Sequence, residues 1–171
     1  RDPSELTGRL TDWVVTAFGE GSIVTNVVAP DNGMSSESCL FDVTLDGVTT
    51  QYVARMAPLP HVIPVFESYD IELQAKAMNV VRANTNVPVP EVTHVELDPA
   101  VLDTPFLVMK RMPGGAPTDM PPYVFGGWVI DLSDDERELM QRNAVQTLVD
   151  LHKLRPDNTD LAFLARPDKG E

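Results

Sequence analysis

The 171-residue sequence predicts an α+β fold, in which a five-stranded antiparallel sheet carries one packed helix. Segments with helical and strand periodicity follow each other in the order helix, three strands, helix, two strands and helix. Asp46-Gly47 lies between the second and third strands. A two-residue Asp-Gly turn is a strong hairpin signal because both turn residues need a positive φ. The first three strands are therefore expected to be antiparallel neighbours.

Each predicted helix has a recognisable start or end. Pro3 suits the first helical position of the N-terminal helix, and Gly19 ends it. The second helix covers about 69–83 and cannot continue through Val87-Pro88-Val89-Pro90. The last helix begins at a capping box, Ser133-Asp134-Asp135-Glu136.

The predicted strands are short and either β-branched or alternating in polarity. In the second strand, Leu40 and Asp42 are expected on one side of the sheet, with Phe41 and Val43 on the other. The strands are expected at 22–29, 39–45, 49–56, 91–97 and 106–112.

Composition and charge argue against several classes of function. The net charge is -13, from 13 Lys and Arg against 26 Asp and Glu. No Lys/Arg cluster is visible, so the chain is not expected to bind nucleic acid. No apolar run is long enough to cross a bilayer, and Cys39, the single cysteine, cannot form an internal disulfide. We therefore expect a cytoplasmic protein without a membrane partner.

Short motifs along the chain carry a family resemblance. The motifs are Gly33-Met34-Ser35-Ser36-Glu37-Ser38, Tyr52-Val53-Ala54-Arg55, Val87-Pro88-Val89-Pro90, Pro105–Gly115 and Leu148–His152. In this order and spacing they resemble aminoglycoside phosphotransferases, whose fold is similar to that of protein kinases. Within this family, the sequence most resembles the bacterial subgroup similar to the kinase-like domain of acyl-CoA dehydrogenase fusion proteins. Members of that subgroup often carry Arg in place of the strand lysine.

The resemblance implies a division of the chain. Residues 1–112 would form the nucleotide-binding N-terminal lobe of a kinase-like fold. Residues 113–171 would form the hinge, a loop and the first helical segment toward a C-terminal lobe that the sequence lacks.

The resemblance also implies phosphate-binding residues. Gly33, Ser35 and Ser36 would bring backbone N–H groups close to phosphate oxygens. An ordinary connecting loop is the alternative, because Gly and Ser are common in loops. Arg55 would bridge the α- and β-phosphates and a residue of the next helix. The alternative for Arg55 is an arginine at a strand edge that faces water.

Two residues compete as the helix partner of Arg55. Glu72 is the carboxylate near the middle of the motif Tyr69-Asp70-Ile71-Glu72-Leu73-Gln74, which opens the second helix, and it is the predicted partner. Measured back from the Val-Pro-Val-Pro segment, however, the family's glutamate falls nearer Gln74. If Gln74 holds that position, Arg55 has a neutral hydrogen-bond partner in place of an ion pair.

The hinge is predicted between the last strand and the loop that follows it. Met109, Lys110 and Met112 would recognise the base there through backbone groups. Ile23, Ala54 and Met109 would sandwich the ring, and their alternative role is plain core.

The implied function is that of a small-molecule kinase lobe. The resemblance predicts ATP or GTP with Mg²⁺ as cofactor and an aminoglycoside or metabolite hydroxyl as acceptor. No catalytic or metal-binding residue is predicted, because the family's His-Gly-Asp-x-x-x-x-Asn loop and magnesium-binding Asp do not occur here. The isolated chain is therefore expected to lack turnover.

Two further expectations concern partners. A non-catalytic kinase-like binding or interaction module is the alternative function. A homodimer is also expected, through apolar residues around Tyr123, Phe125 and Trp128.

Overall fold

The fold is taken from a computed structural model that describes residues 3–30, 36–118, 120–155, 157 and 159–164. Its sheet has five antiparallel strands in the order β1-β2-β3-β5-β4, which confirms the predicted α+β class. The strands are β1 (Ile23–Val28), β2 (Glu37–Leu45), β3 (Val48–Met56), β4 (Val92–Glu96) and β5 (Phe106–Lys110). The helices are α1 (Pro3–Phe18), α2 (Ile71–Asn84), α3 (Pro99–Leu102) and α4 (Asp134–Leu151), with 3₁₀ turns at Trp128–Asp131 and Ala162–Leu164.

The hairpin between β2 and β3 sets the register of the sheet. Asp46 has φ 52° and Gly47 has φ 79°, which confirms the predicted tight turn. From this turn the pairing runs without interruption from Leu45 opposite Val48 to Glu37 opposite Met56. The turn therefore decides which residues of the two strands share a face.

One face of the sheet packs against α1. Leu10 and Val14 of α1 are fully buried there. Their sheet partners come from alternate positions of three strands: Cys39, Phe41, Val43, Tyr52, Ala54, Met56, Phe106 and Val108. The period of two explains this set, since every second side chain of a strand projects to the same side.

The opposite face packs against α2. Leu107 is fully buried in a cluster with Ala57, Ile71 and Ala75, and Met109 lies at the edge of this cluster. The sheet thus carries a helix on each face, although the sequence predicted only one packed helix. The N-terminal helix was predicted, but its packing on the sheet was not.

The chain divides into two compact units, one formed by 1–79 with 90–112 and the other by 80–89 with 113–171. The second unit contains α4, which begins at the predicted capping box of Ser133 and Glu136. No residue of α4 is buried. The helix therefore gains little hydrophobic burial within the described residues. The predicted division into lobes at residue 112 stays a prediction.

Three short elements were not predicted: α3 and the 3₁₀ turns at Trp128–Asp131 and Ala162–Leu164. The four-residue helix α3 is capped by the Asp98 side chain, which accepts a hydrogen bond from the Ala100 N–H, and Pro99 follows at its first position. The turn at Trp128–Asp131 is also only four residues long. Separately, no helix in the described ranges is long and apolar enough to span a membrane.

Candidate functional site

Arg55 projects from the α2 face of the sheet. It is paired with Ser38 on β2 and with Leu107 on β5. Directly paired residues of neighbouring strands project to the same side, and Leu107 is buried in the α2 cluster. Ala54, the preceding residue, is buried against α1 on the other side. Because side chains alternate along a strand, both neighbours assign Arg55 to the same face.

The guanidinium of Arg55 lacks a partner among the described residues. Its Nε is buried and makes no hydrogen bond. Leaving a buried donor unpaired costs about 1–3 kcal/mol, and more when the group is charged. Such an atom marks a position where an anionic ligand would restore the missing hydrogen bond.

The Gly33–Ser38 motif is described only from Ser36 onward. Gly33 and Ser35 lie outside the described residues, so their predicted phosphate contacts have no structural counterpart here. Ser36 is half-buried and directly precedes β2. Two residues further on, Ser38 lies opposite Arg55. The described end of this motif is therefore next to the Arg55 position.

Helix α2 presents Glu72 and Gln74 differently. Glu72 is exposed, as are Lys76 and Asn79 on the same flank of the helix. Gln74 is half-buried and belongs to the flank of Ile71 and Ala75, which face the sheet. No ion pair or hydrogen bond joins Arg55 to either side chain in the described part of the chain. The choice of partner stays a prediction.

The predicted hinge residues lie on different sides of β5. Met109 packs at the edge of the α2 cluster. Lys110 is exposed on the opposite side, where its Nζ lies 2.8 Å from Glu91 Oε2. The Lys110 N–H also donates to the Glu91 carbonyl oxygen at 2.9 Å. Met112 follows the strand and is 44% exposed.

One predicted contact of the base is wrong. Ala54 is fully buried in the α1 cluster, so it cannot lie beside Met109 on the α2 face. Val53 is paired directly with Met109 and shares its face. The sequence could have shown this, because side chains alternate along β3. Ala54 directly precedes Arg55 and must therefore project to the opposite face of the sheet.

Arg9, on the α1 side, contrasts with Arg55. Its guanidinium donates to both carboxylate oxygens of Asp103 and to the Ala100 carbonyl oxygen. The hydrogen bond to Asp103 raises the pKa of Arg9 above its ordinary value. The Arg9 guanidinium is thus paired within the protein, whereas the Arg55 Nε makes no hydrogen bond.

The neighbouring groove on the α1 side is also satisfied internally. Trp13 Nε1 donates to Glu96 Oε2 at 3.0 Å. The ring nitrogens of His94 lie 3.2 Å from the Ala17 carbonyl oxygen and 3.1 Å from Thr93 Oγ1. These pairings hold α1 on the sheet.

No cluster of three or more His, Cys, Asp or Glu side chains within the described ranges is arranged to hold a metal ion.

A family model described as the phosphotransferase enzyme family matches residues 31–170. The chain belongs to the phosphotransferase enzyme family. The matched range contains β2, β3, α2, β4 and β5, and with them Arg55 and both candidate helix partners. The resemblance predicted from the motifs is confirmed at the level of this family.

This member of the phosphotransferase enzyme family is also similar to a solved structure from Ralstonia eutropha JMP134, described as a "putative aminoglycoside phosphotransferase". The sequence identity is 24%, and the TM-score is 0.42. The match covers 64% of this chain and 28% of the other. The chain therefore spans less than a third of the length of that protein.

Proposed function

We propose that this phosphotransferase-family chain binds a nucleoside triphosphate on the α2 face of its sheet, with Arg55 holding the phosphates. The observation that carries the proposal is the buried, unpartnered Nε of Arg55 on that face. A guanidinium can hold two phosphate oxygens at once, and charge-assisted hydrogen bonds of this kind are strong. Phosphoryl transfer in turn depends on holding the triphosphate and neutralising its charge.

The other site residues are proposed to act around Arg55. Backbone groups of Gly33, Ser35 and Ser36 approach the phosphates, and Met109 and Val53 contact the base. The Lys110 side chain is not assigned a role, because it is paired with Glu91 on the far side of β5.

The backbone hydrogen bonds of the hinge indicate which of its residues can recognise the base. The N–H groups of Lys110 and Arg111 already donate to the carbonyl oxygens of Glu91 and Gln51, both at 2.9 Å. The N–H of Met112 makes no backbone hydrogen bond to a described residue. We therefore assign recognition of the base to the Met112 backbone.

The nucleotide is proposed to be ATP or GTP with Mg²⁺, which would supply the transferable phosphoryl group. Arg55 fits the phosphates of such a nucleotide. No residue of the described chain is assigned to Mg²⁺.

The whole protein is proposed to be a small-molecule O-phosphotransferase whose acceptor is an aminoglycoside or another metabolite hydroxyl. Residues 1–112 would be its N-terminal lobe, and residues 113–171 would lead into the C-terminal lobe. The subgroup similar to the kinase-like domain of acyl-CoA dehydrogenase fusion proteins remains our assignment, supported by an arginine at the strand-lysine position.

A non-catalytic interaction module with a kinase-like fold is the second candidate. Helix α4 supports it, because none of its residues is buried and several large apolar side chains are exposed. They are Leu139, Val145, Leu148 and Val149. Such a surface is typical of a contact with another protein or another part of the same protein.

Calorimetric titration of the chain with ATP and with GTP, each with Mg²⁺, tests the proposed function. Arg55→Ala should weaken binding by about tenfold or more, since it removes charge-assisted hydrogen bonds of about 1.5–3 kcal/mol each. Arg142→Ala is the matched control, because Arg142 pairs with Glu138 on the exposed surface of α4. Binding that is absent, or equal in the Arg55→Ala and Arg142→Ala variants, would contradict the proposal and favour the interaction module.

A further inference from the structure

We infer that Gln74, rather than Glu72, is the α2 side chain that positions Arg55. This inference rests on the proposed function, in which Arg55 holds the nucleotide phosphates. Arg55 then has a neutral partner, and its full positive charge remains available to the ligand.

The helical spacing of α2 separates the two candidates. Ile71 and Ala75 are buried against Leu107, which is the cross-strand neighbour of Arg55. Residues three and four apart share a helix face, so Gln74 lies on the sheet-facing stripe that Ile71, Ala75 and Met78 define. Gln74 is half-buried, as expected of that stripe.

Glu72 lies on the other flank. Together with Lys76 and Asn79 it forms a stripe spaced four and three residues apart, and all three side chains are exposed. A carboxylate in water gains little from a distant pairing and loses side-chain entropy by making it. Glu72 is therefore better explained as a solvated helix residue.

The chemistry of Gln74 suits the Arg55 guanidinium. The amide oxygen of glutamine accepts hydrogen bonds, and an arginine has five N–H donors in a fixed fork. One donor can point to Gln74 while others hold phosphate oxygens. Gln74 would thus orient the guanidinium without neutralising it.

A charged partner would behave differently. A glutamate at position 74 would form an ion pair with Arg55 in the free chain and would add a negative charge close to the phosphates. The first effect stabilises the unliganded protein, because a charge-assisted hydrogen bond to a carboxylate is stronger than one to a neutral amide oxygen. The second weakens binding of a triphosphate through like-charge repulsion.

The test uses Gln74→Glu, with Glu72→Gln as the matched control, in the full chain. Gln74→Glu should raise the thermal midpoint by a few degrees. It should also weaken ATP binding by about tenfold in calorimetry. Glu72→Gln should change neither quantity appreciably. Gln74→Met keeps the length of the side chain and removes its hydrogen-bond acceptor. It should weaken ATP binding several-fold and should not raise the thermal midpoint.

A double-mutant cycle makes the stability readout specific. The midpoint gain of Gln74→Glu should disappear when Arg55 is replaced by Met, because the new carboxylate then has no cation to pair with. A gain that persists in the Arg55→Met background overturns the inference, as does the absence of any gain. An ATP affinity that responds to Glu72→Gln and not to the Gln74 variants also overturns it.

The two proposals can fail separately. If the wild-type chain binds no nucleotide, the proposed function fails, while the midpoint cycle still decides whether position 74 reaches Arg55. If the chain binds ATP through Arg55 and the cycle shows no coupling, only the assignment of Gln74 is lost.

Discussion

Arg9 and Arg55 illustrate how much the surroundings of one residue type decide its role. Arg9 is held by Asp103 and a backbone carbonyl oxygen, so it serves the packing of α1 and α3. Arg55 projects from a strand between Ser38 and Leu107 and keeps a buried Nε without a partner. Its residue type and strand were predictable from the motif. The missing partner was not, because pairing depends on side chains that are distant in sequence.

Asn26 also depends on its local surroundings. It interrupts the pairing of β1 with β2 and has φ 53°, a left-handed conformation that asparagine tolerates. Its Nδ2 donates to Asp42 Oδ2 at 2.8 Å, and Asp42 is buried. The predicted side of Asp42 in β2 is confirmed, but its partner in β1 could not be inferred from alternation alone.

Asn26→Ala should lower the free energy of unfolding by about 2–4 kcal/mol, because the buried Asp42 loses its hydrogen bond from Asn26 and because alanine tolerates left-handed backbone less well than asparagine. Asn26→Gly is the control that removes the hydrogen bond without the backbone strain. It should therefore cost about 1–2 kcal/mol less than Asn26→Ala. Urea denaturation measures both, and equal losses would show that the backbone conformation plays no part.

At the scale of elements, the predictions based on local sequence signals were correct, whereas the packing of the helices could not be predicted. The Asp46-Gly47 turn and the Ser133 capping box were correct because each depends on residues next to one another. Helix α3 was missed because four residues are too few for a period to emerge. The apolar side chains of α4 are not buried, since a helical period can give an apolar face without showing what covers it.

The capping box of α4 makes a prediction about pH. Hydrogen bonds from the Ser133 backbone N–H and hydroxyl lower the pKa of Glu136 below its ordinary value of 4.5. A carboxylate with a lowered folded-state pKa stabilises the protein above its unfolded pKa, and this stabilisation is lost as the pH falls through the folded value.

Glu136→Gln should therefore lower the thermal midpoint at pH 7, and the difference from wild type should shrink as the pH falls below 4.5. Circular dichroism of the thermal transition at several pH values measures it. Glu138→Gln, which removes only an exposed ion pair with Arg142, is the control and should have a smaller effect. A Glu136→Gln difference that stays constant between pH 7 and strongly acidic pH would argue against the charged capping box.

At the scale of the whole molecule, charge and topology act together. The chain carries a net charge of -13, which repels a nucleoside triphosphate at long range. A local cation on a partly covered sheet face is then needed to hold the phosphates, and Arg55 occupies such a face. The family and the sheet were predictable from the order of motifs. The helices on both faces were not, because the strands alone do not reveal which helix covers which side.

The most direct test follows the Nε–H signals of the arginines by ¹H–¹⁵N NMR while ATP is added to the labelled chain. Comparison with the spectrum of Arg55→Lys identifies the Arg55 signal. The proposal predicts that this signal shifts as ATP saturates the chain, because the unpartnered Nε gains a phosphate acceptor, while the Arg9 signal stays in place. An Arg55 signal that does not move at saturating ATP, or a shift confined to Arg9, would contradict nucleotide binding on the α2 face.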